Sequence, residues 1–323
     1  MKLPTGATGA RILGLGAYQP SRVVTNRELA QTLDTSDEWI RSRVGIVSRR
    51  IAGPDETVAD MAVAAGGKAL ADSGLSPEDV GLVIVATCSP ESTIPNLAAQ
   101  VAYRLGTGGP GAYDLNAACA GFCYGLATAS DAIRAGSAGH VLVIGAEKMS
   151  AWTDWTDRDS CVLFADGAGA AVVGPVATPG DPPGIGPVVW GSAGEHAKHV
   201  HVRDRKSLMT VDGRRVYWWA TTELPAVAIE ACRAAGVATR DLVAFVPHQA
   251  NLRIVESLVK SLKLPDTVAI ARDMETQGNT SSASIPLALS ALLERGEVHS
   301  GQSALFIGFG AGLTYAAQVV EVP

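Results

Sequence analysis

The chain has 323 residues, of which 47% are hydrophobic and 18% charged, and it carries a net charge of −6. A disordered chain is excluded, because it lacks the apolar surface needed to offset its ordering entropy. The acidic balance also argues against a general nucleic-acid binder, which needs a broad basic surface. The length predicts about two structural units. Residues 1–9 contain no apolar h-region, so no secretory signal is expected. An Ala-rich helical pattern follows over residues 62–73, then Gly74, a polar turn with Asp79, and an apolar run at Val83–Val85. A short strand is expected to end at Leu115. Phe122, Leu126, Ala129 and Ile133 then recur at helical spacing before a second apolar run at Val141–Ile144. Asp166–Gly169 reads as a turn, and the Gly/Pro-rich stretch 174–191 as a connection.

The same order then returns. Residues 226–235 repeat the Ala-rich helix, followed by Gly236, Asp241 and an apolar run at Val243–Val246. Gly74 and Gly236, like Asp79 and Asp241, stand 162 residues apart, half the chain. Leu252, Val255, Val259 and Leu262 form a helical stripe, and Ala304–Ile307 a further apolar run. Short apolar runs between turns are strands buried on both faces. Alternation with helices predicts mixed or parallel sheets covered by helices. The expectation is an α/β protein of two similar halves, 1–174 and 175–323, with a site near the strand C-terminal ends. Residues 301–320 carry no charge and are long enough to span a bilayer. Their glycines and glutamines instead predict two buried strands joined by a turn, so a soluble, cytoplasmic protein is expected.

Five cysteines are too few and too scattered for a disulfide framework. Cys119 stands apart from the others. It follows the strand ending at Leu115 and opens a helix among Ala117, Ala118, Ala120 and Gly121. Free N–H groups and the positive end of the helix dipole favour a thiolate and predict a lowered pKa. They also offer donors to an oxyanion. Cys88, Cys123, Cys161 and Cys232 read as structural.

In the second half, His248 follows a buried strand and Pro247, a place like that of Cys119 in the first. Asn279 lies in the turn GNTSSAS ahead of a helix, where turn chemistry alone would explain it. GFGAGLTY, residues 308–315, reads as a hairpin with close backbone approach and not as a phosphate loop. His196, His199 and His201 lie in a basic loop with Lys198, Arg203, Arg205 and Lys206, and no carboxylate or cysteine is spaced to complete a metal site.

With these motifs in view, the chain resembles the β-ketoacyl-acyl carrier protein synthase III family of the thiolase superfamily. The resemblance runs almost end to end, through ILGLGAYQPSRVVTN, SDEWIRSRVGI, AACAGF, TDRDSCVLFADGAGAAVV, VPHQANLRI, GNTSSAS and GFGAGLTY. It implies a duplicated αβαβα five-layer fold and a Cys119, His248, Asn279 site. Cys119 would take an acyl group from acyl-CoA, with the N–H groups of Cys119 and Ala311 as oxyanion hole. His248 and Asn279 would stabilise the enolate left when malonyl on an acyl carrier protein loses CO2, and Phe309 would desolvate the malonyl carboxylate. The resemblance also places CoA contacts at Trp39, Arg43 and Arg158, and carrier-protein contacts at Arg253 and Lys260. Ile94, Met149 and Phe164 would line the acyl pocket of a homodimer in which one subunit closes the other's pocket. No metal or redox cofactor, nucleic acid or membrane is implied.

Four departures stand out. Ala311 replaces a common Gly, and Ile94 an aromatic residue of acetyl-selective members. Trp218 replaces a lysine, with Arg214 and Arg215 as possible substitutes. The loop 195–207 is short and basic. They favour a larger or branched primer and a specialised pathway. A thiolase would need a second cysteine after Cys232, which is missing. The half-chain repeat argues against a papain-like hydrolase with the same Cys, His, Asn order. An acyltransferase that passes the acyl group to a hydroxyl or amine, without decarboxylation, stays open.

Overall fold

The computed structural model describes residues 4–178, 180–204 and 207–323. Residues 1–3 of the N-terminal stretch, and Arg205 and Lys206 of the basic loop, lie outside them. Ten strands build two five-stranded sheets. The first contains β1 (Ala10–Tyr18), β2 (Leu82–Ala86), β3 (Gly111–Leu115), β4 (Val141–Lys148) and β5 (Asp166–Pro175), in the order β1-β5-β4-β2-β3. The second contains β6 (Val189–Ser192), β7 (Ala244–Pro247), β8 (Ala269–Ile270), β9 (Ser303–Gly310) and β10 (Thr314–Glu321), in the order β6-β10-β9-β7-β8. Each strand of one sheet has its counterpart five labels later in the other. In both sheets the three strands at one end (β4, β2, β3 and β9, β7, β8) pair in parallel, and the two pairings at the other end are antiparallel. All four apolar runs expected to be strands are strands.

The main helices are α1 (Asp37–Val44), α2 (Val58–Ser73), α3 (Leu97–Leu105), α4 (Gly121–Ala135), α5 (Gly213–Ala235), α6 (Leu252–Leu262) and α7 (Ser284–Glu294). The repeat is visible in their ends. Thr57 caps α2 reciprocally with Asp60, and the helix stops at Gly74 in the left-handed region (φ 70°). Its counterpart α5 stops at Gly236 with the same φ of 70°. Short helical turns then end at Asp79 and Asp241, as the 162-residue offset requires.

Five layers result. α4 and α7 lie between the sheets, where Phe122, Leu126, Ile133, Ile285, Leu289 and Leu292 pack against Ile84, Val143, Val246 and Phe306. Burying each of the larger side chains contributes roughly 1.5–3 kcal/mol. α2 and α3 cover the outer face of the first sheet, and α5 and α6 that of the second. This is the duplicated thiolase architecture.

Some local expectations shift. Asp166–Gly169 is the start of β5, not a turn, because the Asp166 carboxylate accepts from Ala52 N–H, Ser150 N–H and Ser150 Oγ and holds the chain extended. The connection between sheets is shorter than 174–191, since β5 runs to Pro175 and β6 begins at Val189. Helix α5 begins well before its Ala-rich repeat and runs through Pro225. Residues 303–321 form the expected antiparallel hairpin. No helix among the described residues is long and apolar enough to cross a membrane.

Candidate active site

The two halves present matched corners where strands β3 and β8 give way to the central helices. In the first, the Asn116 side chain accepts from Ala118 N–H at 3.2 Å, and Ala118 sits at φ 46°. A single turn, Ala118–Ala120, then leads into α4. Cys119 is the middle residue of that turn. The α-helix therefore begins two residues later than the sequence suggests.

Strand β9 backs directly onto this turn. A Cβ at Gly308 would lie 2.9 Å from Ala120 Cα, and one at Gly310 would lie 2.7 Å from Cys119 N. Only glycine permits that approach. Thr314 Oγ1 pins the far end of the hairpin by donating toward Ala117 O at 2.9 Å and Ala311 O at 3.1 Å. Ala311 is thus held in the turn beside the thiol.

The same strand carries the contacts of His248. His248 N–H donates to Ile307 O at 2.8 Å, and its ring meets Phe309 edge-on with centroids 5.1 Å apart. Nδ1 lies 2.7 Å from Ser284 Oγ, which also accepts from Gln249 N–H at 3.3 Å. Nε2 is therefore the ring nitrogen left to face the site. When the Ser284 hydroxyl donates to Nδ1, Nε2 carries the hydrogen. His248 is only 2% exposed, and burial pushes its pKa down to about 3, so the ring is neutral near pH 7.

Asn279 is held by the backbone just ahead of β5. Its N–H donates to Leu163 O and its C=O accepts from Ala165 N–H, both at 2.9 Å. Its Oδ1 accepts from Ser281 N–H at 2.9 Å. The side-chain NH2 makes no hydrogen bond among the described residues and is available as a donor. Cys119, His248, Asn279, Phe309 and Ala311 thus gather around β9 and the two corners.

The thiol departs from expectation. Burial is the first cause of a shift that pushes Cys119 up to about 12, opposite to the lowering predicted from the helix N-terminus. A Ser281 hydrogen bond and a backbone N–H pull it down, while the nearby Glu147 carboxylate pushes it up. Desolvation outweighs the helix end because Cys119 lies in the turn before α4, inside a lined site.

Met149 and Phe164 pack together in one apolar cluster, joined by Met209. Met209 comes from the flap of strands Val200–His201 and Thr210–Val211, and its N–H donates to Trp152 O at 2.8 Å. The short flap therefore packs against this cluster. Cys88, read as structural, also borders it, with Sγ 4.0 Å from Met149 Sδ. Ile94 does not join this cluster and is 87% exposed. Cys123, Cys161 and Cys232 are buried in the core, as expected.

On the surface, the guanidiniums of Arg158 and Arg43 lie 4.9 and 5.6 Å from the centre of the Trp39 ring. Arg158 also reaches Asp34 O at 2.7 Å. Asn251 Nδ2 donates to Arg43 O at 3.3 Å, so this group adjoins the start of α6. Arg253 sits there over Tyr217, at 5.3 Å, with the exposed Trp218 next along α5. Lys260 is exposed near the other end of α6. Sequence reasoning missed Ser281, Ser284, Glu147 and Met209. For the two serines the signal was present in GNTSSAS, where turn chemistry was an adequate explanation.

Comparisons with known proteins identify the family. Residues 113–194 match the family model "3-Oxoacyl-[acyl-carrier-protein (ACP)] synthase III", and residues 232–322 match its C-terminal counterpart. The chain is 56% identical over 315 residues to beta-ketoacyl-[acyl-carrier-protein] synthase III 4 of Streptomyces coelicolor, covering 98% of this chain and 99% of the relative. It is 46% identical over 330 residues to the mycobacterial synthase III of Mycobacterium avium, covering 99% and 97%. Among solved structures, the priming β-ketosynthase of the R1128 polyketide biosynthetic pathway superposes with a TM-score of 0.95 at 46% identity, covering 100% of this chain and 98% of that one.

Proposed function

The chain belongs to the 3-oxoacyl-[acyl-carrier-protein] synthase III family of condensing acyltransferases, and from that premise we propose how its own residues divide the reaction. The observation that carries the reading is the strand β9, which sets Gly308 and Gly310 against Cys119 while Phe309 meets the His248 ring. In the first half-reaction, Cys119 sulfur attacks the thioester carbonyl of an acyl-CoA. The oxyanion is held by the N–H groups of Cys119 and Ala311 until the C–S bond to CoA breaks and CoA leaves as the thiol. In the second, malonyl on an acyl carrier protein loses CO2. The resulting enolate oxygen accepts from His248 Nε2–H and the Asn279 NH2. Its carbon attacks the acyl-Cys carbonyl, the C–S bond breaks, and 3-ketoacyl carrier protein leaves.

A neutral histidine suits this division. An imidazole kept uncharged by burial donates one hydrogen bond to developing negative charge without first losing a proton. Phe309 desolvates the malonyl carboxylate and favours loss of its charge as CO2. The reaction written this way needs only two thioester substrates. Trp39, Arg43 and Arg158 would receive the adenine and phosphates of CoA, the guanidiniums turning from the indole face to the anion. Arg253, with Arg214, Arg215 and Lys260, would meet an acidic carrier protein, and the exposed Trp218 adds an apolar contact. Met149, Phe164 and Met209 form an apolar acyl pocket suited to a primer larger than acetyl. The exposed Ile94 supports a homodimer in which that side chain closes the partner's pocket.

The test is intact-protein mass spectrometry with a panel of acyl-CoAs, followed by malonyl carrier protein. The expected result is a mass gain on Cys119 that discharges as 3-ketoacyl carrier protein with release of CO2, and no gain in Cys119→Ala. An acyl-enzyme that ignores malonyl but discharges onto a hydroxyl or amine would overturn the condensing assignment.

A further inference from the structure

Arg49 is fully buried, and among the described residues its guanidinium donates only to neutral oxygens. Nη1 donates to Val24 O at 3.3 Å. Nη2 donates to Asn26 Oδ1 at 2.9 Å and to Val162 O at 3.0 Å. Nε has no hydrogen-bond partner among the described residues. Burial lowers the pKa to about 10, so the group stays charged near pH 7. Holding a guanidinium out of water without a carboxylate is costly, and an apolar side chain of the same volume would avoid that cost.

Two sets of contacts bring this side chain to Asn279. The strand Ser48–Ile51, which pairs with Arg22–Thr25, runs alongside the segment that leads into Asn279. Val47 N–H donates to Glu275 O at 2.6 Å, Ser48 Oγ to Thr276 O at 2.8 Å and Arg50 Nε to Gln277 Oε1 at 3.1 Å. At Arg49 the approach is closer still. Gly278 stands at φ 77°, and a Cβ there would lie 2.8 Å from Arg49 Cβ and 2.7 Å from Ala165 Cβ. The far end of the same side chain holds Val162 O, and the next residues, Leu163 and Ala165, make the two backbone hydrogen bonds of Asn279. Arg49 thus touches the chain before Asn279 through its Cβ and the chain beside Asn279 through its guanidinium. Asn279 Oδ1 is tied to Ser281 N–H, so the side-chain NH2 moves with this backbone.

We infer that Arg49 is a positioning residue for Asn279, setting where its NH2 meets the enolate oxygen during condensation. It acts through Val162, Gly278 and the Asn279 backbone, and not on the substrate. The guanidinium is suited to this because it is a rigid, planar fork whose charge strengthens each bond to a carbonyl. An apolar side chain would fill the space but release Val162, and a displacement on the order of 1 Å is enough to weaken catalysis greatly. None of these contacts reaches the Cys119 turn, which is backed by β9, so acyl loading does not depend on Arg49. The inference rests on the donor role proposed for Asn279.

The experiment is a double-mutant cycle on wild type, Arg49→Met, Asn279→Ala and the double variant. Single-turnover kinetics follows loading from an acyl-CoA, then condensation with malonyl carrier protein. Arg49→Met should condense on the order of 10- to 100-fold more slowly and load at the wild-type rate. In the Asn279→Ala background the same substitution should slow condensation by less than about twofold, because the group it positions is gone. Arg49→Lys keeps the charge but not the fork, and should lose condensation several-fold. The same cycle run with Arg49→Lys decides the matter if Arg49→Met does not fold. Undiminished condensation in the Arg49 variants, equal losses in both backgrounds, or loading that falls in step with condensation would overturn the positioning role. Wild-type condensation in Asn279→Ala would instead overturn the donor role given to Asn279 in the proposed function, and this inference would fall with it.

Discussion

The two corners that frame the site are copies of one backbone with different side chains. Asn116 and Asn279 each accept from the N–H two residues on, and the next residues, Ala118 and Ser281, share a positive φ of 46° and 52°. Each corner packs against a glycine of the opposite sheet. A Cβ at Gly308 would strike Ala120 Cα at 2.9 Å, and one at Gly145 would strike Ser282 O at 2.5 Å. The differences are confined to what the backbone displays. Cys119 in the first corner corresponds to Ser282 in the second, 163 residues later, and Gly121 to Ser284. Where Gly121 lies against Ala86 with no polar contact, Ser284 holds the His248 ring. Duplication thus supplied two rigid mounts. In the proposed reaction the first carries the nucleophile, and the second carries the donors that act on the other substrate.

Removing the donors breaks this comparison most completely. His248→Ala or Asn279→Ala should leave acyl loading of Cys119 near the wild-type rate. Decarboxylative condensation should fall on the order of 100- to 1,000-fold, the usual effect of losing one donor to a developing oxyanion. Single-turnover kinetics of the two half-reactions separates these effects. Loading that falls in parallel would mean that the second corner also serves the nucleophile through the ring, and the division of labour would fail.

A pair of glycine substitutions sharpens the structural half of the comparison. Gly145→Ala and Gly308→Ala each force a methyl group into a backbone contact under 3 Å, and each should destabilise the fold by about 1–3 kcal/mol. The effects on chemistry should differ. Gly308 backs onto the Cys119 turn, so its variant should lose loading beyond what stability explains. Gly145 backs onto Ser282 and Ala283, so its variant should slow condensation more than loading. Thermal unfolding and the two half-reactions, measured on both variants, check this. Identical kinetic profiles would show that the corners move as one body.

How much of this was legible beforehand follows from the physics of each signal. Strands buried on both faces write continuous apolar runs, so β2, β4, β7 and β9 could be read directly. The repeat could be read because helix ends need Gly74 and Gly236 at the same place in each half. The central residue Cys119 was legible for the same reason, a thiol among small residues after a strand. Its proton affinity was not. The pKa depends on desolvation and on Glu147, which lies 28 residues away and meets it only through the fold. Ser284 and Ser281 were hidden in a turn that explains its own serines. Cys88 looked like a core residue because its neighbours in sequence are core residues, whereas its sulfur meets Met149 beside the cluster of Met149, Phe164 and Met209. Sequence periodicity reports which face is buried. It does not report what a buried polar atom meets across the layer.

The smallest expected effect concerns the ring mount itself. Ser284→Ala removes the Nδ1 partner and the acceptor for Gln249 N–H. A lost hydrogen bond of this kind costs about 1 kcal/mol, so condensation should slow several-fold while loading is unchanged. The pH profile makes the test specific. Burial lowers the His248 pKa from 6.5 in the unfolded chain to about 3 in the fold. The unfolded chain therefore binds the extra proton first, and the contribution of neutral His248 to stability is full above pH 6.5 and declines as pH falls toward 3. Within the folded enzyme the ring stays neutral, so the condensation rate should show no histidine limb between pH 5 and 8. Ser284→Ala should lower that plateau without tilting it, because burial and not the serine sets the ring's charge. A limb near pH 6.5 in the wild-type condensation rate would mean that His248 titrates in solvent. The second corner would then be an acid-base device, and the contrast with the first corner would have to be redrawn around proton transfer.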